Sequence, residues 1–258
     1  MNKKILVVCT FFVNLLCYSQ QQFNYNFYID GTVREGALFY NAKENTAIYL
    51  DKISSTKRVI DKDEYNDDNN TEIIVSDFSE RSDLYFLKNN NEVLFTYNLL
   101  RINYLVEDKL PKIEWKLSSE KREIENLICY KATTTFRGRN WTAWYSPDIP
   151  INYGPWKFYG LPGLIVELKE DTNRFALILT DYVLNTKNIA PTINPTNSKK
   201  VSMKKMAEIT DEAYDNLFNA LSGSKSDGVE VVLVKEESNT GHGQGIEAIY
   251  EWEEDTKK

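Results

Sequence analysis

The sequence predicts a mainly β (α+β) fold, in which a curved antiparallel sheet or open half-barrel carries one packed C-terminal helix. From Phe23 to about Leu184, short runs rich in Val, Ile, Tyr, Phe and Thr alternate with Asn, Asp, Gly and charged residues, which is typical of antiparallel β proteins. One later segment has helical periodicity. With 258 residues and 42% hydrophobic content, the chain can bury a substantial core. We therefore expect a single β-rich domain over residues 20–258.

The clearest strand candidates are five apolar runs. The alternation in LIVELKED, from Leu164 to Asp171, predicts a strand with one covered face and one face in water. DLYFLKNNNEVLFTYN predicts a hairpin whose turn is Asn89–Asn91. The five runs are TAIYLDK, EIIVSDF, DLYFLK, EVLFTYNLL and RFALILTDYVL.

The helix is predicted within ITDEAYDNLFNALSG. Thr210 is the expected N-cap, and Gly223 lies just past the last apolar residue. The final residues, EWEEDTKK, are predicted to form an acidic flexible tail. An apolar stripe on the helix is expected to pack on the sheet, and it consists of Ala213, Tyr214, Leu217, Phe218 and Leu221.

The first 19 residues resemble a cleavable signal peptide. Lys3 and Lys4 precede an apolar run, and Cys17-Tyr18-Ser19 provides the small residues of a cleavage site. An uncleaved membrane anchor is the first alternative, but the run is shorter than the ~20 residues of a spanning helix and Asn14 interrupts it. A lipoprotein is the second, although Leu16 replaces the small residue usual before a lipidated cysteine. We expect an exported protein, periplasmic, outer-membrane associated or secreted, with no transmembrane span in the mature chain.

The net charge and the cysteine content limit the partners that the protein can bind and the disulfides that it can form. Removal of residues 1–19 leaves 29 basic and 38 acidic residues, a formal net charge of −9, which argues against a nucleic-acid partner. It also removes Cys9 and Cys17, so no internal disulfide can form. Cys129 remains between apolar and β-branched residues, where a free cysteine usually behaves as a small buried hydrophobe.

The sequence contains no recognisable catalytic, metal-binding or cofactor motif. His242 is the only histidine, which excludes a zinc site built from several histidines and weakens every hydrolase that needs a histidine base. Residues Asp61 to Glu72 partly match a calcium loop. However, Tyr65 and Asn66 occupy positions that require an oxygen ligand and a glycine. A solvated acidic loop is the simpler interpretation.

Residues 137–165, RGRNWTAWYSPDIPINYGPWKFYGLPGLI, hold three of the five tryptophans and four of the seven prolines. Pro162 and Gly163 predict a type II turn. One interpretation is an Ω-like loop that plugs the core with its aromatic rings. The other is a binding surface for a ligand or partner. In that surface Trp141, Trp144, Tyr145 and Trp156 line an apolar groove, and Arg137, Arg139, Asp148 and Lys157 are polar fixing points.

GPWKFYGLPGLIVEL, preceded by KATTTFRGRNWTAWYSPDIPI, resembles the signature of the GLPGLI family of exported bacterial proteins. The string GLPGLI spans Gly160 to Ile165. The resemblance implies an exported, β-rich protein but no catalytic residue, because no reaction is assigned to the family. Many of the residues that it places in the signature are turn or packing residues. The residues placed there are Cys129, Lys131, Ala132, Arg137, Gly138, Arg139, Trp144, Ile149, Pro150, Gly154 and Pro155.

Three functions stay open at this point. The first is a non-enzymatic envelope protein that binds an apolar small molecule, a peptide or an envelope protein at residues 137–165. The second is a histidine-independent hydrolase that uses carboxylates such as Asp148 and Glu167. The third is a structural component of the cell surface.

Overall fold

The computed structural model confirms the predicted mainly β fold. Twelve strands form one open sheet, and a helix follows the last of them. The predicted signal peptide, the strand candidate EIIVSDF, the acidic loop from Asp61 to Glu72 and His242 lie outside the described residues. The structure describes residues 20–53, 81–88, 91–187, 190–193, 197–222, 225–226, 229–230 and 245–254.

The large sheet has the order β12-β6-β5-β4-β3-β2-β1-β11-β10-β9-β8-β7. Its neighbours pair antiparallel, except that β12 runs parallel to β6. The strands are β1 (Gln21–Ile29), β2 (Thr32–Asn41), β3 (Thr46–Ile53), β4 (Arg81–Lys88), β5 (Glu92–Leu99), β6 (Ile102–Lys109), β7 (Lys116–Ile124), β8 (Leu127–Phe136), β9 (Arg139–Ser146), β10 (Leu164–Glu170), β11 (Phe175–Val183) and β12 (Lys199–Ser202).

The remaining elements follow the sheet in the chain. Helix α1 spans Met203–Ser222, and α2 is a single turn, Glu251–Glu254. Two short strands, β13 (Lys225–Ser226) and β14 (Val229–Glu230), pair only with each other. Neither helix in the described part of the chain has the length and hydrophobicity that crossing a membrane requires.

The predicted hairpin is confirmed, because β4 and β5 pair from Tyr85 with Phe95 out to Lys88 with Glu92. The turn residues Asn89 and Asn90 lie outside the described residues. Strand β10 also has the predicted alternation. Its leucines and Val166 are buried, whereas Glu167 and Lys169 are partly exposed.

Some of the connections between neighbouring strands are two-residue turns that match the twist of the sheet. Asp30-Gly31 joins β1 to β2, and Arg137-Gly138 joins β8 to β9, with positive φ at all four residues. Positive φ at both central residues is the type I′ geometry, whose twist matches that of the flanking strands. Gly138 also lies against another segment, since a Cβ atom there would come within 2.8 Å of the Ile249 side chain.

The sheet curls so strongly that distant strands contact the same side chain. Trp156 packs edge-on against Tyr85 of β4, at 6.5 Å between ring centroids, and against Phe136 of β8, at 6.2 Å. These strands are seven places apart in the sheet, which in a flat sheet is roughly 34 Å. One tryptophan can contact both only because the sheet wraps around it. The concave face is therefore the interior of a half-barrel.

The helix starts earlier than the sequence analysis placed it. It begins at Met203, seven residues before the predicted cap at Thr210. The N-cap is Ser202, whose Oγ accepts the backbone N–H of Lys205 at 3.2 Å. Thr210 lies within the helix, and its hydroxyl donates to the Met206 carbonyl. The helix ends at Ser222, as predicted from Gly223.

The helix packs on the sheet through its first turns and not through the predicted stripe. Met203, Met206 and Ala207 are buried, whereas Leu217 of the stripe is 59% exposed. The stripe residues Ala213, Tyr214 and Phe218 are partly exposed, and nothing is described for the Leu221 side chain. Helix α1 lies against strands β6 and β12.

The lone cysteine of the described residues is part of the core, as predicted. Cys129 is a free, fully buried thiol. Burial raises the pKa of this thiol to about 11, so the nucleophilic thiolate form is suppressed at neutral pH.

Candidate functional site

The connection between β9 and β10, residues 147–163, lies inside the concave face, and we call it the inner segment. Its backbone folds back on itself, since Gly154 N–H donates to the Phe158 carbonyl at 2.8 Å and Gly160 N–H donates to the Asn152 carbonyl at 2.8 Å. The Tyr153 hydroxyl donates to the Asn45 carbonyl in the turn between β2 and β3, at 2.9 Å. The segment is thus fixed both internally and to the surrounding sheet.

Aromatic rings fill the space between the inner segment and the sheet. Phe158 is fully buried and lies at the centre, 4.9 Å from Trp141, 5.2 Å from Phe136 and 5.7 Å from Trp156 between ring centroids. Trp115 closes one side, where its Nε1 donates to the Tyr159 carbonyl at 2.9 Å. The rings that the sequence singled out as a plug or a binding surface are therefore mainly interior.

A strained turn presents Trp156 and Lys157 to the interior. Phe158 N–H donates to the Pro155 carbonyl at 3.3 Å, and between them Trp156 has φ of 56°. Positive φ is an outlier for a bulky residue and persists only where the surroundings impose it. Burial of the indole on two strands is what imposes it here.

Gly163 has a different role from the one predicted. A type II turn requires positive φ at this glycine, and positive φ is found instead at Gly160. A Cβ atom on Gly163 would lie 2.1 Å from the Ser146 carbonyl oxygen. Glycine is required because the inner segment passes directly against the end of β9 as it enters β10.

Four buried charged side chains and one partly exposed glutamate form a group where the two ends of the curled sheet meet, and we call it the seam cluster. Arg137, in the turn after β8, donates from Nη1 and Nη2 to the two oxygens of Asp108 in β6, at 2.7 and 2.8 Å. Strands β6 and β8 are nine places apart in the sheet. The bidentate pair thus joins the two ends, which backbone pairing leaves open. The seam cluster comprises Asp108, Arg137, Lys157, Glu247 and Glu251.

Lys157 connects the inner segment to the same cluster. Its Nζ donates to Asp108 Oδ2 at 2.8 Å and to Glu247 Oε2 at 2.8 Å. It also lies 4.5 Å from the centroid of the Phe95 ring, within the range of a cation–π contact. The Lys157 side chain is 1% exposed. Its buried charge is paired with the two carboxylates.

Charges within the cluster stabilise one another in the ionised state. Burial alone would raise the pKa of Asp108, but Lys157 and Arg137 lower it to about 2. Burial would lower the pKa of Arg137, and Glu247 and Asp108 raise it above its ordinary value instead. Asp108 and Arg137 therefore stay charged across the physiological range. The Asp108–Arg137 ion pair thus links the two ends of the sheet.

Residues 245–254 cover the cluster from the outside, and we call them the C-terminal strap. Arg137 contacts Glu247 through Nη1 and donates from Nε to Glu251 Oε1 at 3.0 Å. Its carbonyl accepts the N–H of Ala248 at 3.0 Å. Glu247 and Tyr250 are buried. Of the predicted flexible tail, residues 251–254 form the turn α2, in which Glu251 contacts Arg137, and residues 255–258 lie outside the described part.

A cavity of about 180 Å³ adjoins the inner segment and the cluster. Its walls come from four places, which are strands β4 and β5, the first turns of α1, the turn of the inner segment and the C-terminal strap. Apolar walls with a few polar groups are the general composition of small-molecule sites. The residues that line it are Tyr85, Phe95, Tyr97, Trp156, Lys157, Met203, Met206, Ala207, Thr210, Gly245, Ile246, Glu247 and Tyr250.

The structure brings together only some of the eight site residues chosen from the sequence. Trp156 and Lys157 line the cavity, and Arg137 shares Asp108 and Glu247 with Lys157. Arg139 lies at the edge of this region and donates to the Gly245 carbonyl at 2.7 Å.

The other four chosen residues do not line this cavity. Trp141 and Tyr145 are buried along β9, and Trp144 alternates with them, so it projects from the opposite face. The Arg122 guanidinium lies 4.1 Å above the Trp144 ring. Asp148 is exposed. The four aromatic residues therefore do not form the single groove that the sequence suggested.

Sequence reasoning missed Asp108, Glu247, Glu251 and the α1 wall of the cavity. Nothing in LVEDKL distinguishes Asp108 from an ordinary polar strand end. A signal did exist for the strap, because GIEAIYEW contains Ile246, Ile249 and Tyr250 at helix-like spacing among acidic residues. For the α1 wall, Ser202 followed by Met203, Met206 and Ala207 was the signal.

The chain is similar to one family model and to 19 chains of solved structures. Residues 136–167 match the family model described as "Protein of unknown function (Porph_ging)". This range contains the turn with Arg137, strand β9 and the inner segment with Trp156 and Lys157. No curated protein has a matching sequence.

The solved structures are distant. Two crystal forms of PNGF-II match with TM-scores of 0.48 and 0.47 and sequence identities of 14% and 16%. Each match covers 74% of this chain but only 33% and 32% of PNGF-II. An uncharacterized conserved protein from Thermus thermophilus matches with a TM-score of 0.39 and 9% identity, over 72% of this chain and 91% of that one. The match to the family of unknown function, over residues 136–167, thus includes Arg137, Trp156 and Lys157 of the site but not Asp108 or Glu247.

Proposed function

We propose that this chain is an exported member of the GLPGLI family and a non-enzymatic binding protein of the cell envelope. Its occupant is an apolar ligand, or an apolar side chain of a peptide or partner protein, held in the cavity beside Trp156 and Lys157. The observation that carries the proposal is the composition of that cavity, since most of its lining residues are apolar or aromatic.

The charged groups at the wall support binding in preference to catalysis. Lys157 donates to Asp108 and Glu247, and Glu247 accepts from both Lys157 and Arg137. The pKa of Asp108 is held at about 2, whereas a general acid or base works best with a pKa near the ambient pH. For the hydrolase alternative, Glu167 is already paired with Arg122 at 2.7 Å and Lys169 at 3.1 Å. No observation favours Asp148 and Glu167 as a catalytic pair.

Native mass spectrometry tests the binding proposal. We expect the mature protein, exported and purified from a bacterial periplasm, to carry apolar mass that organic extraction removes. Ala207→Trp, which fills the cavity from α1, is expected to lose that mass, whereas Trp144→Ala, on the opposite face, is expected to keep it. If the wild-type protein carries no such mass and binds no apolar probe or envelope partner, the proposal is wrong.

Export is tested separately by the N-terminus of the protein from cells. Cleavage after Ser19 is expected to leave Gln20 as the first residue of a protein found in the envelope fraction. A cytoplasmic protein that retains Met1 would contradict this part of the proposal.

A further inference from the structure

The chemistry of the cavity walls narrows the ligand class, on the condition that the proposed binding function is correct. Five lining residues are aromatic and two are methionines. Aromatic rings gain from edge-to-face contact beyond their buried area, and methionine sulfur adds favourable contacts with rings. The five aromatic residues are Tyr85, Phe95, Tyr97, Trp156 and Tyr250.

The volume sets the size of the ligand. A cavity of about 180 Å³ is close to the ~150 Å³ of an engineered apolar cavity that binds benzene in another protein. A single ring with a small substituent fits this space. A long acyl chain or a sterol exceeds it.

The polar groups at the cavity wall determine which charge the bound ligand can carry. Lys157 Nζ is within 3.0 Å of both Glu247 oxygens and 2.8 Å from Asp108 Oδ2. The Thr210 hydroxyl donates to the Met206 carbonyl, and the Gly245 carbonyl accepts from Arg139. A ligand carboxylate would compete with Glu247, and a ligand ammonium would compete with Lys157, each leaving a buried charge unpaired. An uncharged ligand disturbs none of these contacts.

From the aromatic lining, the volume of the cavity and the paired charges at its wall, we infer that the cavity binds an uncharged single-ring aromatic molecule. The ring packs among Trp156, Phe95 and Tyr85, with Met203 and Met206 closing over it from α1. The inner segment contributes one wall and supplies Lys157, whose ion pairs exclude charged analogues.

Calorimetric titration of the mature protein with five small probes of similar size tests this inference. Toluene and ethylbenzene are expected to bind about tenfold more tightly than n-hexane, and benzoate and benzylamine about tenfold more weakly than toluene. Ala207→Trp should weaken toluene binding by at least about tenfold. Ala220→Trp, at an exposed alanine of the same helix, should leave it unchanged. Ala207→Leu is the second cavity-filling variant if the larger residue prevents folding.

The outcomes separate this inference from the proposed function. If n-hexane binds as tightly as toluene, or either charged probe binds as tightly, the aromatic inference is overturned and apolar binding stands. If none of the five probes binds, the inference fails, and binding of larger envelope partners decides the proposed function. If the folded Ala207 variants bind toluene as well as the wild type does, the ring lies elsewhere and the inference is wrong.

Discussion

Two arginine–carboxylate pairs join distant strands in this molecule at the same distance but in opposite surroundings. In the seam cluster, Arg137 lies 2.7 Å from Asp108, and the two side chains are 0% and 1% exposed. On the outside of the sheet, Arg122 lies 2.7 Å from Glu167, with exposures of 41% and 14%. Water screens the outer pair and takes over its hydrogen bonds when it breaks. Water cannot do so for the inner pair, so removing one partner leaves a buried charge.

The largest effect is expected from Arg137→Met. It removes the cation shared by Asp108, Glu247 and Glu251, and breaking a buried pair from one side usually costs about 3–5 kcal/mol. Chemical denaturation should show that loss in the free energy of unfolding. A loss below about 1 kcal/mol would mean that the inner pair behaves like the outer one.

Trp156→Ala and Trp144→Ala make the same comparison between the interior and the outer face, with tryptophan rings in place of ion pairs. Trp156 is buried between β4 and β8, so its truncation is expected to cost about 3–5 kcal/mol. Trp144 is partly exposed beneath Arg122, and its truncation should cost well under half as much. Equal losses in the free energy of unfolding would contradict the placement of Trp144 on the outer face.

Acid should weaken the seam cluster in a defined range. The pKa of Asp108 is about 2 in the folded protein, below the ~3.9 of an unfolded chain. Its contribution, about 2 kcal/mol, is therefore present above about pH 4 and is lost as the pH falls towards 2. Unfolding free energy measured against pH should fall more steeply in the wild type than in Asp108→Asn. Parallel curves would show that Asp108 does not carry this dependence.

The smallest effect is expected from Arg122→Met. This variant breaks the outer pair with Glu167 and uncovers Trp144, and exposed pairs contribute about 0–1 kcal/mol. Added salt should reduce even this difference, because exposed charges are screened. A loss as large as that of Arg137→Met would remove the distinction between the two regions.

The sequence predicted the parts of this fold that depend on local pattern. Alternation in LIVELKED, the β4–β5 hairpin and the burial of Cys129 were all confirmed, since each follows from residues near one another in the chain. The helix start was missed because the acidic residues after Thr210 resemble a first turn. Ser202 with Met203, Met206 and Ala207 was the better signal.

Long-range contacts explain what the sequence did not predict. Asp108, Lys157 and Glu247 are far apart in the chain, and they meet because the sheet curls and the inner segment turns at Trp156. No local sequence pattern predicts the curl of the sheet or the positive φ of Trp156. The sequence shows where the glycines are but not why each is needed. Gly163 is needed because its backbone passes close to Ser146, and it does not form a type II turn.

Amide hydrogen exchange in the inner segment tests most directly whether that segment is a fixed part of the interior. Gly154 within the segment and Leu164, where the segment joins β10, donate their N–H groups to the segment's Phe158 and Ile149 carbonyls, at 2.8 and 2.9 Å. We expect both amides to exchange only through global unfolding, with a protection free energy equal to that of unfolding. Exchange as fast as that of the exposed amides of β7 would contradict the account.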